Sequence, residues 1–149
     1  MKDFLKAAIQ EAKQSLRSAK PGIPIGAVLV HRGKIIGRGH NQRVQKGNPI
    51  LHGEMDALQN AGRRKASVYR KSMLVTTLSP CIMCAGAILL YKIPHVVIGE
   101  NRTFKGAERL LRSHGVKVEI VQNEECIELM RSFIRQHPEL WHEDIGVQG

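Results

Sequence analysis

Cysteine is scarce in this chain, with three residues among 149. An odd number of cysteines argues against a disulfide framework and favours a reducing, cytoplasmic location. Long apolar runs are also absent: the longest, residues 85–90, is too short to span a bilayer. The charged start at residues 1–8 lacks the apolar stretch of a signal peptide. We therefore expect a single cytoplasmic domain over residues 1–149 with no membrane partner.

Aromatic residues make up only 4% of the chain, and acidic residues are outnumbered, with 13 Asp and Glu against 23 Lys and Arg. The positive excess lies in residues 1–71, which hold 15 Lys and Arg against 4 Asp and Glu. Such asymmetry can mark a nucleic-acid surface. However, the charges are scattered apart from Arg63-Arg64-Lys65, and few aromatic rings are present to stack on bases. We favour a solvated basic face and keep nucleic acid as the weaker alternative.

Apolar spacing and turn residues predict helices that alternate with strands. A short turn at Arg32-Gly33 predicts a hairpin, so the central sheet is mixed and is covered by helices on both faces. Ser79 and Pro80 suit the N-cap and first position of the helix that follows them. The predicted helices are residues 2–19, 52–62, 79–91, 104–113 and 124–136, and the predicted strands are 27–31, 34–39, 73–77, 95–98 and 116–121.

Two cysteines, Cys81 and Cys84, stand three residues apart at the start of a predicted helix. Side chains at this spacing project from one helix face, so both sulfurs can bind one ion. The positive end of the helix dipole stabilises the thiolates that metals require. Taken alone, this pair is also typical of a redox dithiol.

A third ligand candidate, His52, lies 29 residues before Cys81, and Glu54 follows two residues later. His-x-Glu followed by Pro-Cys-x-x-Cys is the signature of zinc deaminases that act on nucleobases. One His and two Cys leave the fourth position of a tetrahedral zinc open for water, whose pKa the metal lowers toward neutrality. Glu54 would then carry protons between that water, the ring nitrogen and the departing amine. The alternatives are a dipole-stabilised carboxylate at position 54 and a non-catalytic, zinc-stabilised module.

Beyond this motif, the chain resembles the fungal-type cytosine deaminases of the cytidine deaminase-like superfamily. The resemblance runs from about Pro24 to Gly146, and its C-terminal part is the most discriminating because the common superfamily motif does not predict it. It is carried by Pro24-Ile25-Gly26, Gly37-Arg38-Gly39-His40-Asn41, Leu51-His52-Gly53-Glu54, Thr76-Thr77-Leu78-Ser79-Pro80-Cys81, Gly99-Glu100-Asn101 and Trp141-His142-Glu143-Asp144-Ile145-Gly146.

The resemblance implies a three-layer αβα sandwich with about five strands, a homodimer and one zinc ion per subunit. It implies the deamination of free cytosine to uracil and ammonia by attack of a zinc-activated water on C4. The implied roles are zinc binding by His52, Cys81 and Cys84; proton transfer by Glu54; polar contacts to the base by the Asn41 amide, the Gly53 N–H, the Ser79 carbonyl and Asp144; and flat walls from Ile25, Leu78, Phe104 and Trp141.

Two rival functions remain at this point. A tRNA adenosine deaminase would share the zinc site and the segment Cys81 to Ala87, and the positive charge favours it. A deaminase of another small base, such as guanine, is the second.

The chain departs from the fungal pattern in a shorter hairpin turn, a shorter stretch after Phe104, His142 in place of an aromatic carbocycle, and the extra tail 147–149. We expect Cys126 to be a buried core thiol and the remaining histidines to lie at surfaces or interfaces.

Overall fold

Helices and strands alternate along the chain in the computed structural model, which describes residues 2–147. No helix within that range is long and apolar enough to cross a membrane. Of the extra tail, only Val147 lies among the described residues. The elements are α1 (Lys2–Arg17), β1 (Gly26–His31), β2 (Lys34–His40), α2 (Arg43–Lys46), α3 (Gly53–Ala61), α4 (Ala66–Tyr69), β3 (Ser72–Thr76), α5 (Ile82–Leu90), β4 (His95–Ile98), α6 (Glu108–Ser113), β5 (Lys117–Ile120), α7 (Glu124–Gln136) and α8 (Pro138–Asp144).

The five strands form one sheet in the order β2-β1-β3-β4-β5. Strand β1 runs antiparallel to both β2 and β3, whereas β3, β4 and β5 are parallel. The predicted hairpin closes through Arg32 and Gly33, whose φ angles of 51° and 76° are typical of the two-residue turns that match strand twist. The mixed sheet predicted from the sequence is confirmed.

Helices cover both faces of this sheet, as predicted. On one face, α1 and α7 pack against alternate strand residues such as Val28 and Val75. On the other face, α3, α5 and α6 pack against the intervening residues, among them Leu29 and Leu74. This alternation follows from the two-residue period of a strand, and it gives the three layers of an αβα sandwich.

One end of the sheet collects the chain segments that carry the predicted site. In the register, Gly26 pairs with His40, Ala27 pairs with Thr76, and Thr76 pairs with Ile98. The start of β1 and the ends of β2, β3 and β4 therefore meet at this edge. The residues just beyond them gather there, although they are far apart in sequence.

Helix α3 lies unusually close to strand β2 because two glycines leave room for it. A Cβ atom added at Gly37 would lie 2.4 Å from the carbonyl oxygen of Ala57, and one at Gly39 would lie 2.5 Å from the Ala57 nitrogen. Both obstacles are backbone atoms, which cannot rotate away as a flexible side chain would. These glycines set the distance between the sheet and the helix that carries Glu54.

Two predicted helix starts are wrong. Helix α5 begins at Ile82 with Cys81 as its N-cap, not at Ser79 and Pro80. The Ser79 hydroxyl instead donates to Glu108 at 2.6 Å, so it is not available to cap α5. Helix α6 begins at Glu108, not at Phe104. The loop before α6 is held by hydrogen bonds to the buried carboxylate of Glu100, and sequence periodicity does not reveal such bonds. The helices α2, α4 and α8 were not predicted at all.

Candidate active site

The ligand candidates from the two motifs meet at the crowded end of the sheet. His52 is the N-cap of α3, Cys81 is the N-cap of α5, and Cys84 lies within the first turn of α5. The Nδ1 atom of His52 lies 3.3 Å from Sγ of Cys81 and 3.7 Å from Sγ of Cys84. All three donor atoms lie within 4.8 Å of one another. The structure thus brings together residues that are 29 positions apart in the chain.

These separations fit a tetrahedral zinc ion. Zn–S bonds of about 2.3 Å and Zn–N bonds of about 2.0–2.1 Å place tetrahedral N and S donors about 3.5 Å apart. The observed distances of 3.3 and 3.7 Å lie on either side of that value. The set of one imidazole and two thiols is also the donor chemistry that zinc prefers, and it supplies three protein ligands, the number typical of a catalytic zinc. The three residues therefore form a candidate zinc site.

The second nitrogen of His52 faces the C-terminal helix. Its Nε2 atom lies 3.2 Å from the backbone carbonyl oxygen of Asp144. A carbonyl can only accept, so Nε2 carries the proton and Nδ1 is left to bind metal. This is the outer hydrogen bond that orients histidine ligands in zinc sites. Helix α8 therefore takes part in positioning a zinc ligand.

In the metal-free protein, the ligands form a charge pair. The hydrogen bond from Cys84 lowers the pKa of Cys81 to about 4, and His52 adds to the effect. Burial by itself lowers the pKa of His52, but the hydrogen bond with Cys81 and the Asp144 charge outweigh it and raise that pKa to about 9. The hydrogen bond to Cys81 and burial raise the pKa of Cys84. These shifts favour a negative charge on Cys81, a positive charge on His52 and a protonated Cys84.

Glu54 lies in the first turn of α3, one residue after Gly53, and is 4% exposed. Burial and the Cys81 thiolate raise the pKa of its carboxyl group, His52 opposes them, and the net pKa is about 7. A carboxyl group with this pKa accepts and releases protons with equal ease near neutrality, as a general acid-base catalyst must. Within the described residues, the Gly53 N–H has no hydrogen-bond acceptor. It is one of the free N–H groups at a helix start.

A small cavity adjoins the candidate zinc ligands. Phe104 and Trp141 form one wall, with ring centroids 5.6 Å apart and ring planes at 85°. Trp141 and Asp144 come from α8, which lies across the cavity. Nine of the twelve residues that sequence reasoning selected line this cavity: Ile25, His52, Glu54, Leu78, Ser79, Cys81, Phe104, Trp141 and Asp144.

The other three selected residues lie directly behind the lining. Cys84 completes the ligand cluster, and a Cβ on Gly53 would lie 3.0 Å from the Ile25 carbonyl oxygen. Asn41 is fully buried at the end of β2, and its Nδ2 donates to Oδ1 of Asp144 at 2.8 Å. Burial raises the pKa of Asp144, while His52 and the bond from Asn41 partly offset the increase.

Sequence reasoning missed two residues of this site. Ile145 lines the cavity; its spacing of four residues from Trp141 is the signal that could have identified it. Arg43 places Nη1 3.7 Å from Asp144 and 3.3 Å from Glu143, and no spacing pattern indicates this contact. By contrast, Cys126 is 1% exposed in the core, as expected, and burial raises the pKa of its thiol to about 12.

The pKa values of the three candidate ligands lead to a prediction that can be measured. At pH 6, where a zinc-bound water with a pKa near 7 keeps its protons, zinc binding to the metal-free chain should release about two protons, from His52 and Cys84, because metal ligands must be deprotonated. Cys81 contributes none because its pKa of about 4 leaves it already ionised. A pH indicator in weak buffer measures the release during titration with zinc. A release of three protons would contradict the thiolate at Cys81.

Comparison with known proteins identifies the chain's family. Residues 1–100 match the family described as cytidine and deoxycytidylate deaminase zinc-binding region. A cytosine deaminase from Candida albicans is 49% identical over 146 residues, which cover 97% of this chain and 96% of that protein. A tRNA-specific adenosine deaminase from Streptococcus pyogenes serotype M18 is 40% identical over 144 residues, covering 89% of each.

Solved structures show the same fold. A structure from a study of tRNA:A34 deaminases superposes with a TM-score of 0.69 at 24% identity, covering 87% of this chain and 99% of that one. A diaminohydroxyphosphoribosylaminopyrimidine deaminase/reductase from Thermotoga maritima superposes with a TM-score of 0.70 at 32% identity, covering 92% of this chain and 41% of that one. The donor cluster, the buried carboxyl beside it and these relationships have one common explanation. The chain is a zinc-dependent deaminase and belongs to the cytidine and deoxycytidylate deaminase family.

Proposed function

We propose that this enzyme hydrolyses the exocyclic amine of free cytosine, giving uracil and ammonia. The observation that carries the proposal is the closure of the site by α8, which Asp144 fastens to Asn41 at 2.8 Å and to His52 at 3.2 Å. The cavity lies beneath α8 and is walled by the flat or apolar side chains of Ile25, Leu78, Phe104 and Trp141. A flat free base suits such a site, and a polynucleotide does not. The similarity to the Candida albicans cytosine deaminase supports the same choice.

Each polar group of the site has a proposed task in this reaction. Zinc, when bound by His52, Cys81 and Cys84, lowers the pKa of a water and so supplies the nucleophile. Glu54 accepts a proton from that water, delivers one to the ring nitrogen, and then protonates the departing amine. Its pKa of about 7 suits both directions of transfer.

Recognition of the base would use donors and acceptors that the fold leaves at the cavity. Asp144 and the Ser79 carbonyl oxygen accept hydrogen bonds from the exocyclic amine. The free Gly53 N–H donates to the ring carbonyl, and Asn41, behind the lining, orients the Asp144 carboxylate toward the base. Since uracil carries an oxygen where cytosine carries the amine, two acceptors at that position favour the substrate over the product.

A substrate panel tests the proposal. Free cytosine should be turned over, as followed by ultraviolet absorbance, and an adenosine in an anticodon stem-loop should not. Cytidine, guanine and adenine complete the panel, because the family includes deaminases of other bases and the positive charge favours RNA. Turnover of the stem-loop without turnover of cytosine would contradict the proposal and favour the function of the Streptococcus pyogenes relative.

Substitution of Glu54 distinguishes a catalytic zinc site from a structural one, because only a catalytic site needs its carboxyl group. Glu54→Gln should lower kcat by at least about 10²–10⁴-fold, the usual contribution of an acid-base group, with one zinc per chain retained. Cys81→Ser should lose both zinc and activity. Glu119→Gln, at a half-exposed carboxylate outside the cavity, is the control and should change neither. Wild-type turnover by the Glu54 variant would refute the assigned role; zinc content is read by atomic absorption.

We further propose that the enzyme is a homodimer that associates through the outer face of α5. This helix contains no charged residue, and its Ile82 and Leu90 are 68% and 70% exposed. Exposed apolar patches of this kind mark interaction surfaces.

Two further predictions concern the cell. The free thiols fit a cytoplasmic location, and the proposed reaction fits a role in pyrimidine salvage.

Sedimentation velocity tests the dimer. The wild type should sediment as a dimer, and Leu90→Glu should shift it toward monomer because a charge would be buried in the interface. Val121→Glu alters an apolar residue that is 47% exposed outside α5, so it should leave the dimer intact. A monomeric wild type, or equal effects of both substitutions, would contradict this interface.

A further inference from the structure

Glu108 is a fully enclosed carboxylate that has no part in the chemistry described above. It is the first residue of α6, is 1% exposed, and does not line the cavity. A buried carboxylate is costly unless hydrogen bonds compensate it. Its Oε2 accepts from the Ser79 hydroxyl at 2.6 Å, its Oε1 accepts from Nδ2 of Asn101 at 3.2 Å, and Arg112 lies 3.8 Å away. The short bond therefore joins Glu108 to a residue of the cavity wall.

The Ser79 hydroxyl also ties two chain segments together. It accepts from the Gly106 N–H at 2.9 Å while it donates to Glu108. Next to it, the Pro80 carbonyl oxygen accepts from the Ala107 N–H at 2.9 Å. A Cβ atom on Gly106 would lie 1.9 Å from that oxygen, so the two backbones are in direct contact. Residues 79–80 and 106–107 are therefore held as one unit.

This unit leaves a single backbone acceptor free at the cavity. The Ser79 N–H donates to the Glu100 carbonyl oxygen at 3.0 Å, and the hydroxyl is used twice. Between residues 2 and 147, no group donates to the Ser79 carbonyl oxygen. Buried carbonyl groups usually have a partner, so a free one in a residue that is 2% exposed needs an explanation. A donor on a bound base, such as an exocyclic amine, provides it.

The same unit supports the aromatic wall. Phe104 lies two residues before Gly106, in the loop between β4 and α6. The other end of this loop is held by Glu100, which is fully buried and accepts from the N–H groups of Arg102 at 2.7 Å and Thr103 at 3.0 Å. Two buried carboxylates thus bracket the segment that carries Phe104. Among the described contacts of these two carboxylates, only that of Glu108 reaches a residue that lines the cavity.

We propose that Glu108 is a positioning residue that, through the Ser79 hydroxyl, fixes both the Ser79 carbonyl oxygen and the Phe104 side chain against the bound base. Without Glu108, the hydroxyl loses its acceptor and can rotate, so the contact with Gly106 loosens. Both the acceptor for the amine and the ring wall then lose their fixed positions. The inference rests on the proposed function, since it concerns how the same cavity holds its base.

The test compares substitutions at Glu108 with a matched change on the same helix. Glu108→Ala should raise KM by about 10- to 100-fold, the scale of a small misplacement of binding groups, with kcat within threefold and zinc retained. Glu108→Gln should have a smaller effect, because its amide oxygen still accepts from Ser79. Leu111→Ala removes fully buried core volume from α6, so it should lower Tm and leave KM within twofold.

A double-mutant cycle shows whether the effect passes through Ser79. Ser79→Ala should raise KM by itself, and adding it to Glu108→Ala should raise KM no further, because both remove the same bond. The inference is overturned if the Glu108 variants lower Tm as Leu111→Ala does but leave KM unchanged, or if the two effects on KM multiply. If Glu108→Ala does not fold, the cycle is run with Glu108→Met, which removes the same acceptor while it keeps most of the side-chain volume.

The substrate panel keeps the two proposals separate. KM is measured with whichever base the wild type deaminates. A wild type that rejects cytosine but deaminates another base refutes the proposed substrate, and the KM of the Glu108 variants on that other base still decides the inference.

Discussion

Three donor atoms from two distant segments must lie close enough to share one ion, and the rest of the structure follows from this constraint. His52 and Cys81 are both N-caps, so two helices of nine residues begin at the same point. Their positive ends face two thiols and the Glu54 carboxyl, and helix dipoles stabilise negative charge there. Both helices begin at the same end of the strands. The antiparallel β1 starts there, and the parallel strands β3 and β4 finish there. The metal site is therefore a product of the strand order.

Sequence alone predicted the parts of this arrangement that have a local cause. The strands and the long helices have periodic apolar residues, and α7 was predicted with its observed bounds, Glu124–Gln136. The candidate ligands His52, Cys81 and Cys84 were found from two local patterns. Cysteines three residues apart share a helix face, and His-x-Glu followed by Pro-Cys-x-x-Cys is the signature of zinc deaminases. The resemblance to fungal-type deaminases added the walls and Asp144, which no local pattern indicates.

The failures have a common physical reason. Ser79 was predicted to cap α5, but its hydroxyl is bonded to Glu108, 29 residues away. Phe104 was predicted to be helical, but backbone bonds to Glu100 hold its loop in another shape. Arg43 approaches Asp144 from the opposite end of the chain. The contacts of Ser79 and Arg43 join residues far apart in the sequence, whereas the loop of Phe104 is held by short-range bonds to a buried carboxylate. Neither kind of polar contact has a periodic signal in one sequence.

The glycines of strand β2 have a wider consequence. At Gly37 and Gly39, the helix that carries Glu54 meets bare backbone, so no side chain acts as a spacer between them. Because α3 and β2 meet through backbone atoms at these positions, the helix cannot move closer, and a larger residue at either glycine would push it away. The distance between the sheet and the helix that carries Glu54 is thus set here by backbone contact and not by side-chain packing. A lineage could alter its substrate by exchanging wall residues while the distance on which proton transfer depends stays the same.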